Sequence, residues 1–232
     1  MIPWSLLDTA QVPGGGELRL MRRGTEFSIK LGHNELMNSR LSATEQALAT
    51  IACDKIKGRK RPRILIGGLG MGFTLRAALV VLDKQAQITV AELVPAVVAW
   101  ARGPMAELFR SSLTDPRVRI EEVDVGALIR SGRSAYDAIL LDVDNGPEGL
   151  TREANDRLYD LKGLRTAYAA LRPGGVLAVW SSRPDPKFTR RLRKTGFNVV
   201  ENPVRAKGPQ GGAQHFIWTA MRADEGRSSD AL

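Results

Sequence analysis

Short apolar runs alternate with helical patterns through most of the chain, and this alternation limits the fold more than any other feature of the sequence. Strands separated by helices form parallel sheets that are covered by helices on both faces. The predicted strands lie at 64–67, 88–92, 118–123, 138–142, 176–180, 198–201 and 215–221. The predicted helices between them lie at 74–82, 96–110, 125–131, 158–171 and 186–195. The pattern therefore predicts an α/β fold with a doubly wound, mostly parallel seven-stranded sheet.

The first part of the chain has a different pattern. Two β-like runs, 17–21 and 26–31, are joined by Arg22-Arg23-Gly24-Thr25, which predicts a β-hairpin. A helical pattern over 43–56 follows, with Ser42 and Glu45 spaced as in a capping box. We therefore expect a hairpin appendage at 1–40, a main domain at 41–222 and a disordered polar tail at 223–232. A chain of 232 residues has room for one such main domain.

The formal charge of +9 favours anionic partners over a small cationic one. The positive charge is clustered at 59–63 and again at 183–194, and neither cluster has interleaved aromatic residues that could stack on bases. Solvated faces are therefore favoured over a nucleic-acid footprint. No apolar run is long enough to span a bilayer and the N-terminus has no secretion-signal pattern, so we expect a cytoplasmic protein without membrane contact.

A glycine-rich turn and three acidic residues form the candidate site. Gly68, Gly70 and Gly72 separate the first strand from its helix, where open α/β sheets bind nucleotides. Glu92 ends the second strand about twenty residues later, where a carboxylate can accept protons from ribose hydroxyls. Asp124 and Asp142 end the third and fourth strands. Parallel strands bring these three carboxylates to one edge of the sheet.

The turn excludes two common nucleotide sites. Phe73 stands where a third dinucleotide-binding glycine would be expected, and the G-K-[ST] of a phosphate-binding loop is absent. An S-adenosyl nucleoside is the remaining interpretation, with Glu92 and the adjacent Leu93 at the ribose. Asp124 and the backbone of Val125 would then lie near the adenine amine. A metal is not predicted, because the chain has one cysteine and two histidines that are far apart in sequence.

At these residues the sequence resembles the spermidine synthases, the polyamine aminopropyltransferases. The resemblance is carried by 64–76, by Asp115-Pro116-Arg117-Val118, and by 136–142 followed by Gly146-Pro147 and the run 158–179. It implies a class I methyltransferase-like fold and a transferase of polyamine biosynthesis that forms homodimers. The co-substrate would be S-adenosylmethionine or its decarboxylated form, and the acceptor a small amine. Asp142 matches the acid that takes a proton from the attacking amine.

The acceptor side departs from the family pattern. Asn145 stands where the second acid of the family segment is expected, so Asp144 is the substitute catalytic candidate. The family's D-E-x-x-Y-H-E helix reads 44–50 here and keeps only its first Glu, Glu45. Two alternatives to aminopropyl transfer therefore stay open. One is an S-adenosylmethionine-dependent methyltransferase with another acceptor, and the other is a non-catalytic nucleoside-binding module.

Overall fold

A computed structural model of the chain describes residues 2–143 and 157–224. The strands are β1 (Ser5–Gln11), β2 (Glu17–Arg23), β3 (Glu26–Leu31), β4 (Asn34–Asn38), β5 (Arg63–Gly67), β6 (Gln87–Ala91), β7 (Val118–Glu121), β8 (Tyr136–Leu141), β9 (Leu171–Ser181), β10 (Asn198–Arg205) and β11 (Gln214–Met221). The helices are α1 (Ala43–Lys55), α2 (Phe73–Val81), α3 (Pro95–Arg102), α4 (Ala106–Phe109), α5 (Val125–Ser131), α6 (Leu161–Ala170) and α7 (Pro186–Lys194).

The main sheet has seven strands in the order β10-β11-β9-β8-β5-β6-β7. The pairs β8–β9, β5–β8, β5–β6 and β6–β7 are parallel, while β11 runs antiparallel to both β9 and β10. This topology confirms the predicted α/β class and its mostly parallel seven-stranded sheet. The parallel part arises because each helix carries the chain back to the same end of the sheet before the next strand begins.

Helices cover both faces of this sheet, and consecutive residues of a strand contribute to opposite layers. On β5, Ile64 and Ile66 pack with α1 to α4, whereas Leu65 packs with α5, α6 and α7 on the other face. This arrangement explains why the middle of β5, Ile64 to Ile66, is a continuous apolar run. None of the helices in the described ranges is long and apolar enough to cross a bilayer.

The N-terminal hairpin is present, but it is the centre of a larger sheet. Strands β2 and β3 pair antiparallel as predicted, and β1 and β4 extend them into a four-stranded antiparallel sheet. Strand β1 was not predicted because apolar and polar residues do not alternate along its sequence, SLLDTAQ. Its residues are exposed at nearly every position. The inward residues Leu18, Leu20, Phe27 and Ile29 join the core that α1 to α4 form on the main sheet.

Three local predictions need correction. The predicted helix over 96–110 is divided into α3 and α4, because Gly103 and Pro104 interrupt it. The segment Arg172-Pro173-Gly174-Gly175, for which the sequence predicts a turn before the strand at 176–180, lies inside β9. Gly174 adopts a φ of +66° there, and the pairing with β8 shifts register. Ser42 precedes α1 without capping it through its side chain, so the capping box does not form. Of the predicted tail, 225–232 lie outside the described residues.

Candidate active site

Three predicted acids lie at the carboxyl edge of the main sheet. Glu92 directly follows β6, Asp142 directly follows β8, and Asp124 lies three residues beyond the end of β7. Strands β6 and β8 flank β5, and β7 flanks β6. Because all four strands are parallel, their carboxyl ends lie at the same edge as the glycine turn that follows β5. The structure therefore places all three carboxylates and the turn around one cavity.

The glycine turn is closely packed on its own sheet. Gly68 and Gly70 have positive φ angles, and a Cβ on Gly68 would lie 2.8 Å from the carbonyl oxygen of Asp142. A Cβ on Gly70 would lie 2.6 Å from the methyl carbon of Met37. Only glycine, which has no Cβ, allows the neighbouring groups to approach the backbone this closely. Gly72 also has a positive φ, but it packs against the ring of Phe109 and does not line the cavity.

Glu92 is buried, and the glycine turn helps to hold its carboxylate. Its Oε2 accepts a hydrogen bond of 2.9 Å from the backbone N–H of Leu69, and its Oε1 accepts one of 2.9 Å from Val94. Burial raises the pKa of Glu92 in spite of these hydrogen bonds, which act in the opposite direction. Each carboxylate oxygen has a second acceptor position. The backbone N–H groups of Gly70 and Leu93 also act on this carboxylate, so a ribose hydroxyl would share its remaining acceptor capacity with them.

Asp124 and Val125 form another wall of the cavity. Asp124 caps α5, and its Oδ1 accepts a 2.7 Å hydrogen bond from the backbone N–H of Gly126. Its side chain is exposed to solvent, whereas Val125 is buried beneath the cavity. The combination supplies one polar acceptor and one apolar contact surface, which suits a planar base with an exocyclic amine.

The cavity has a volume of about 170 Å³ and lies between the main sheet and the N-terminal sheet. The predicted residues that line it are Gly68, Gly70, Glu92, Leu93, Asp124, Val125 and Asp142. Leu31, Leu36 and Met37 form its roof. Typical ligand pockets begin at about 300 Å³, so an adenosyl compound requires the roof side chains to shift. This roof could not be predicted from the sequence, because the packing of the N-terminal sheet over the glycine turn depends on tertiary contacts.

A second acid lies beside Asp142 and was not predicted to do so. Glu45, from the first turn of α1, is close enough that its charge acts on Asp142. Thr74 joins the two, because its hydroxyl donates a 2.8 Å hydrogen bond to Asp142 Oδ2 and its Oγ1 lies 3.4 Å from the carbonyl oxygen of Glu45. Glu45 itself accepts a 2.8 Å hydrogen bond from the Thr44 hydroxyl instead of closing a capping box.

The two acids cannot both ionise freely. Burial first, and then the negative charge of Glu45, raise the pKa of Asp142 to about 7, although the Thr74 hydroxyl acts to lower it. Burial likewise raises the pKa of Glu45, against the effect of the Thr44 hydroxyl. Two neighbouring carboxyl groups of this kind share a proton near neutral pH. The site is therefore suited to bind a cation and to accept a proton from it.

Aromatic side chains lie next to the acid pair. His215 packs edge-on against Trp180, with 4.9 Å between the ring centroids, and its Nδ1 lies 3.4 Å from Thr44 Oγ1. Burial lowers the pKa of His215, which favours the neutral ring. The indole N–H of Trp180 is buried and has no hydrogen-bond partner among the described residues. Trp180 lies on β9 and His215 on β11, so these two strands approach the acid pair through the contact between His215 and Thr44.

Several residues of the predicted acceptor side lie outside the described parts of the chain. Asp144, the second catalytic candidate, lies outside the described residues, as do Asn145 and Gly146-Pro147 of the family segment. Within 2–143 and 157–224, the His, Cys, Asp and Glu side chains form no group of three that could hold a metal ion.

Comparisons with solved structures agree with this fold. The chain superposes on the spermidine synthase of Thermotoga maritima with a TM-score of 0.75 and 18% sequence identity, covering 95% of this chain and 74% of that one. It superposes on a spermidine synthase in complex with the transition state analogue AdoDATO with a TM-score of 0.74 and 17% identity, covering 95% of this chain and 73% of that one. The fold is therefore the class I methyltransferase-like fold.

Two curated proteins are similar in sequence. Polyamine aminopropyltransferase 1 of Streptomyces coelicolor is 34% identical over 137 residues, which cover 57% of this chain and 25% of that protein. Polyamine aminopropyltransferase 2 of Pseudomonas aeruginosa is 31% identical over 150 residues, which cover 60% of this chain and 40% of that protein. No protein-family model matches the chain. The resemblance to the spermidine synthase branch is confirmed, although the chain spans less than half the length of these two relatives.

Proposed function

We propose that the chain is a spermidine synthase-like transferase that moves an aminopropyl group from decarboxylated S-adenosylmethionine to a small amine. The observation that carries the proposal is the pair Glu45 and Asp142, which lies beside the cavity that Glu92 and the glycine turn form. A cationic amine and a nucleoside would meet at this point. The two similar curated proteins are aminopropyltransferases by name, which supports the same reaction.

The residues support a simple displacement. The acid pair attracts the acceptor as an ammonium ion, and ionised Asp142 takes one proton from its nitrogen. The nitrogen lone pair then attacks the methylene carbon bonded to the sulfonium sulfur. The carbon–sulfur bond breaks, and its electrons return to sulfur, which leaves as a neutral thioether. The positive charge of the sulfonium thus passes to the nitrogen, which ends as a secondary ammonium ion beside the acid pair, and the cavity and the acid pair also position and orient the two reactants.

The nucleoside part is assigned to the residues at the sheet edge. In this proposal Glu92 and Leu93 hold the ribose, Asp124 and Val125 hold the adenine, and Gly68 and Gly70 leave room for the aminopropyl arm. Gly72, which was also a predicted site residue, packs against Phe109 outside the cavity lining, so its proposed role is to shape the turn. Asp144 remains a candidate for the acceptor side. A homodimer and a cytoplasmic location remain predictions.

The test combines ligand binding with turnover. The protein is titrated in a thermal-shift assay with decarboxylated S-adenosylmethionine and with S-adenosylmethionine, and methylthioadenosine release is measured with putrescine and with spermidine. A ligand that binds only the folded state raises the melting temperature. If the decarboxylated form is the co-substrate, we expect it to give the larger rise of the two. The Asp142→Asn variant should keep this rise and lose at least about 100-fold in turnover.

Controls separate the competing functions. Glu92→Ala should abolish the thermal shift, whereas Asp54→Asn, an exposed acid on the same helix as Glu45, should change neither property. A stronger shift with S-adenosylmethionine, together with methyl transfer, would identify the methyltransferase alternative. A thermal shift with no turnover of any amine would identify the binding module. The absence of a shift with both compounds would show that the nucleoside assignment is wrong.

A further inference from the structure

The positive charge of the protein is concentrated on one of its two helical layers. The helices α5, α6 and α7 cover one face of the main sheet, and within their bounds they contain eight Lys and Arg residues and no Asp or Glu. These cations are Arg130, Lys162, Arg165, Lys187, Arg190, Arg191, Arg193 and Lys194. We call this layer of described helices the basic face.

The opposite layer is balanced. Helices α1 to α4 contain three cations and three acids: Lys55, Arg76, Arg102, Glu45, Asp54 and Glu107. The net charge of the whole chain is +9, and the three helices carry +8 within their bounds, or +5 when their three capping aspartates are counted. The helices of the basic face have acids only at their N-caps, whereas acids lie within the helices of the opposite layer. The asymmetry therefore indicates a face that is adapted to an anionic partner.

Seven of the eight cations are exposed and free to meet a partner. Arg191 is the exception, because it is half-buried, lies over the ring of Phe188 and pairs with Asp185 at 3.4 Å. Acids do border the basic face, but Asp124, Asp160 and Asp185 each cap a helix and accept hydrogen bonds from its backbone N–H groups. Their charges are therefore partly offset by the helix ends.

The shape of the basic face favours a long, regular polyanion. Helix α6 packs between α5 and α7, and neighbouring helices lie 8–10 Å apart, so the three helices span roughly 20 Å. Duplex nucleic acid has one phosphate charge for about every 1.7 Å of its axis, which gives about 12 charges over that distance. Contacts to a phosphate backbone require cations but no aromatic residues for base stacking, and this matches the composition of the face.

A membrane surface is a poorer match. The apolar residues of α7, Phe188 and Leu192, are fully buried in the protein core. They are therefore not available to insert between lipids, as the apolar side of a membrane-bound amphipathic helix would be. The exposed side of α7 offers charge alone.

From these observations we propose that the basic face binds double-stranded nucleic acid through its phosphate backbone, without sequence preference. The cations of α6 and α7 do not line the cavity, although α5 shares Val125 and its capping residue Asp124 with it. Binding of this kind would bring the protein, and any product that it releases, close to a polyanion.

The test measures binding of a fluorescein-labelled 20-base-pair duplex, as DNA and as RNA, by anisotropy between 50 and 300 mM KCl. We expect binding at 50 mM KCl that weakens steeply with salt. The triple variant Arg190→Ala, Arg193→Ala, Lys194→Ala should lower affinity at least about tenfold and reduce the slope of log K against log salt by about 3, since each phosphate contact contributes about 0.9.

The matched control removes the same charge elsewhere. The triple variant Lys55→Ala, Lys57→Ala, Arg102→Ala changes exposed cations on or next to the opposite layer, and it should alter affinity less than about twofold. The double variant Lys162→Ala, Arg165→Ala provides an independent test on α6, with an expected decrease in slope of about 2. Circular dichroism establishes that each variant is folded.

Three results would overturn the proposal. The first is the absence of duplex binding at 50 mM KCl. The second is an equal loss of affinity in the control triple, which would reduce the effect to net charge. The third is tighter binding to vesicles that contain phosphatidylserine, or to polyglutamate, than to either duplex, because the basic face would then be adapted to another class of anion.

Discussion

The raised pKa of Asp142 lowers the stability of the folded protein, but it suits the residue to act as a base. Burial and the charge of Glu45 raise its pKa from 3.8 to about 7. Between these two values the folded protein keeps a proton that the unfolded chain has released. Asp142 therefore makes folding less favourable as the pH rises through this range. A carboxyl group that is costly in this way is well suited to accept a proton near neutral pH.

The residue-scale prediction concerns the pH dependence of turnover. If ionised Asp142 is the base, kcat/KM should rise with pH and level off above an apparent pKa near 7. Glu45→Gln removes the neighbouring negative charge, so the pKa of Asp142 should fall and the rising limb should move to lower pH by about 1 unit. Steady-state kinetics between pH 5 and 9 would measure this shift.

The surroundings of the pair contain few other groups that titrate in this range. Thr44 and Thr74 contribute hydroxyl groups. Burial lowers the pKa of His215, which favours the neutral ring, and burial raises the pKa of Glu92, which lines the same cavity as Asp142. Glu107→Gln, on α4 of the same layer, is the matched control and should leave the profile in place. A limb that stays at the same pH in Glu45→Gln would assign the titration to another group.

At the scale of the elements, the sequence was most informative about the central sheet. Strand β5 and the turn after it were predictable because a continuous apolar run ends at glycines, which is a local pattern with few alternatives. Strands β1 and β4 were not predicted, since β1 is exposed at nearly every position, β4 has no fully buried residue, and their pairing depends on the hairpin between them.

The candidate site was predictable to a similar extent. The edge positions of Glu92, Asp124 and Asp142 follow from strand order alone, and the structure places them around one cavity. The proximity of Glu45 to Asp142 could not be derived from spacing, because α1 precedes the main sheet and its packing is tertiary. Its spacing from Ser42 instead suggested a capping box. The structure shows no such cap, and Glu45 lies beside Asp142 instead.

The element-scale prediction concerns the opposite end of the sheet. Asp137 of β8 is buried, pairs with Arg59 at 2.7 Å and Arg172 at 2.8 Å, and accepts a 2.8 Å hydrogen bond from the backbone N–H of Arg63. It thereby joins β5, β8, β9 and the segment after α1. Asp137→Asn leaves two partly buried guanidinium groups without their carboxylate, so the free energy of unfolding should fall by about 3 kcal/mol.

Urea denaturation at pH 7 measures this change. Glu26→Gln is a suitable comparison, because its pair with Arg23 is more exposed, and its loss should stay below about 1 kcal/mol. Similar small losses in both variants would mean that Asp137 does not hold the strands together.

At the scale of the whole molecule, the N-terminal sheet and the main sheet share one core. Leu20 of β2 is fully buried, and it belongs to the same hydrophobic cluster as α1 to α4. Strand β1 is also tied to α3, since the indole N–H of Trp100 donates a 2.7 Å hydrogen bond to Asp8. We therefore propose that the appendage at 1–40 and the main domain at 41–222 unfold together, although their sequence patterns differ.

The corresponding prediction is a single unfolding transition that stays single when the small sheet is weakened. Leu20→Ala should lower the free energy of unfolding by about 2–5 kcal/mol, because it removes buried contacts and leaves a cavity. The transitions followed by tryptophan fluorescence and by far-ultraviolet circular dichroism should still coincide, as expected of one cooperative unit. Leu6→Ala, on the exposed strand β1, should have little effect. An early transition in Leu20→Ala that leaves the adenosyl-ligand thermal shift intact would show instead that the small sheet folds separately and that the cavity does not need its roof.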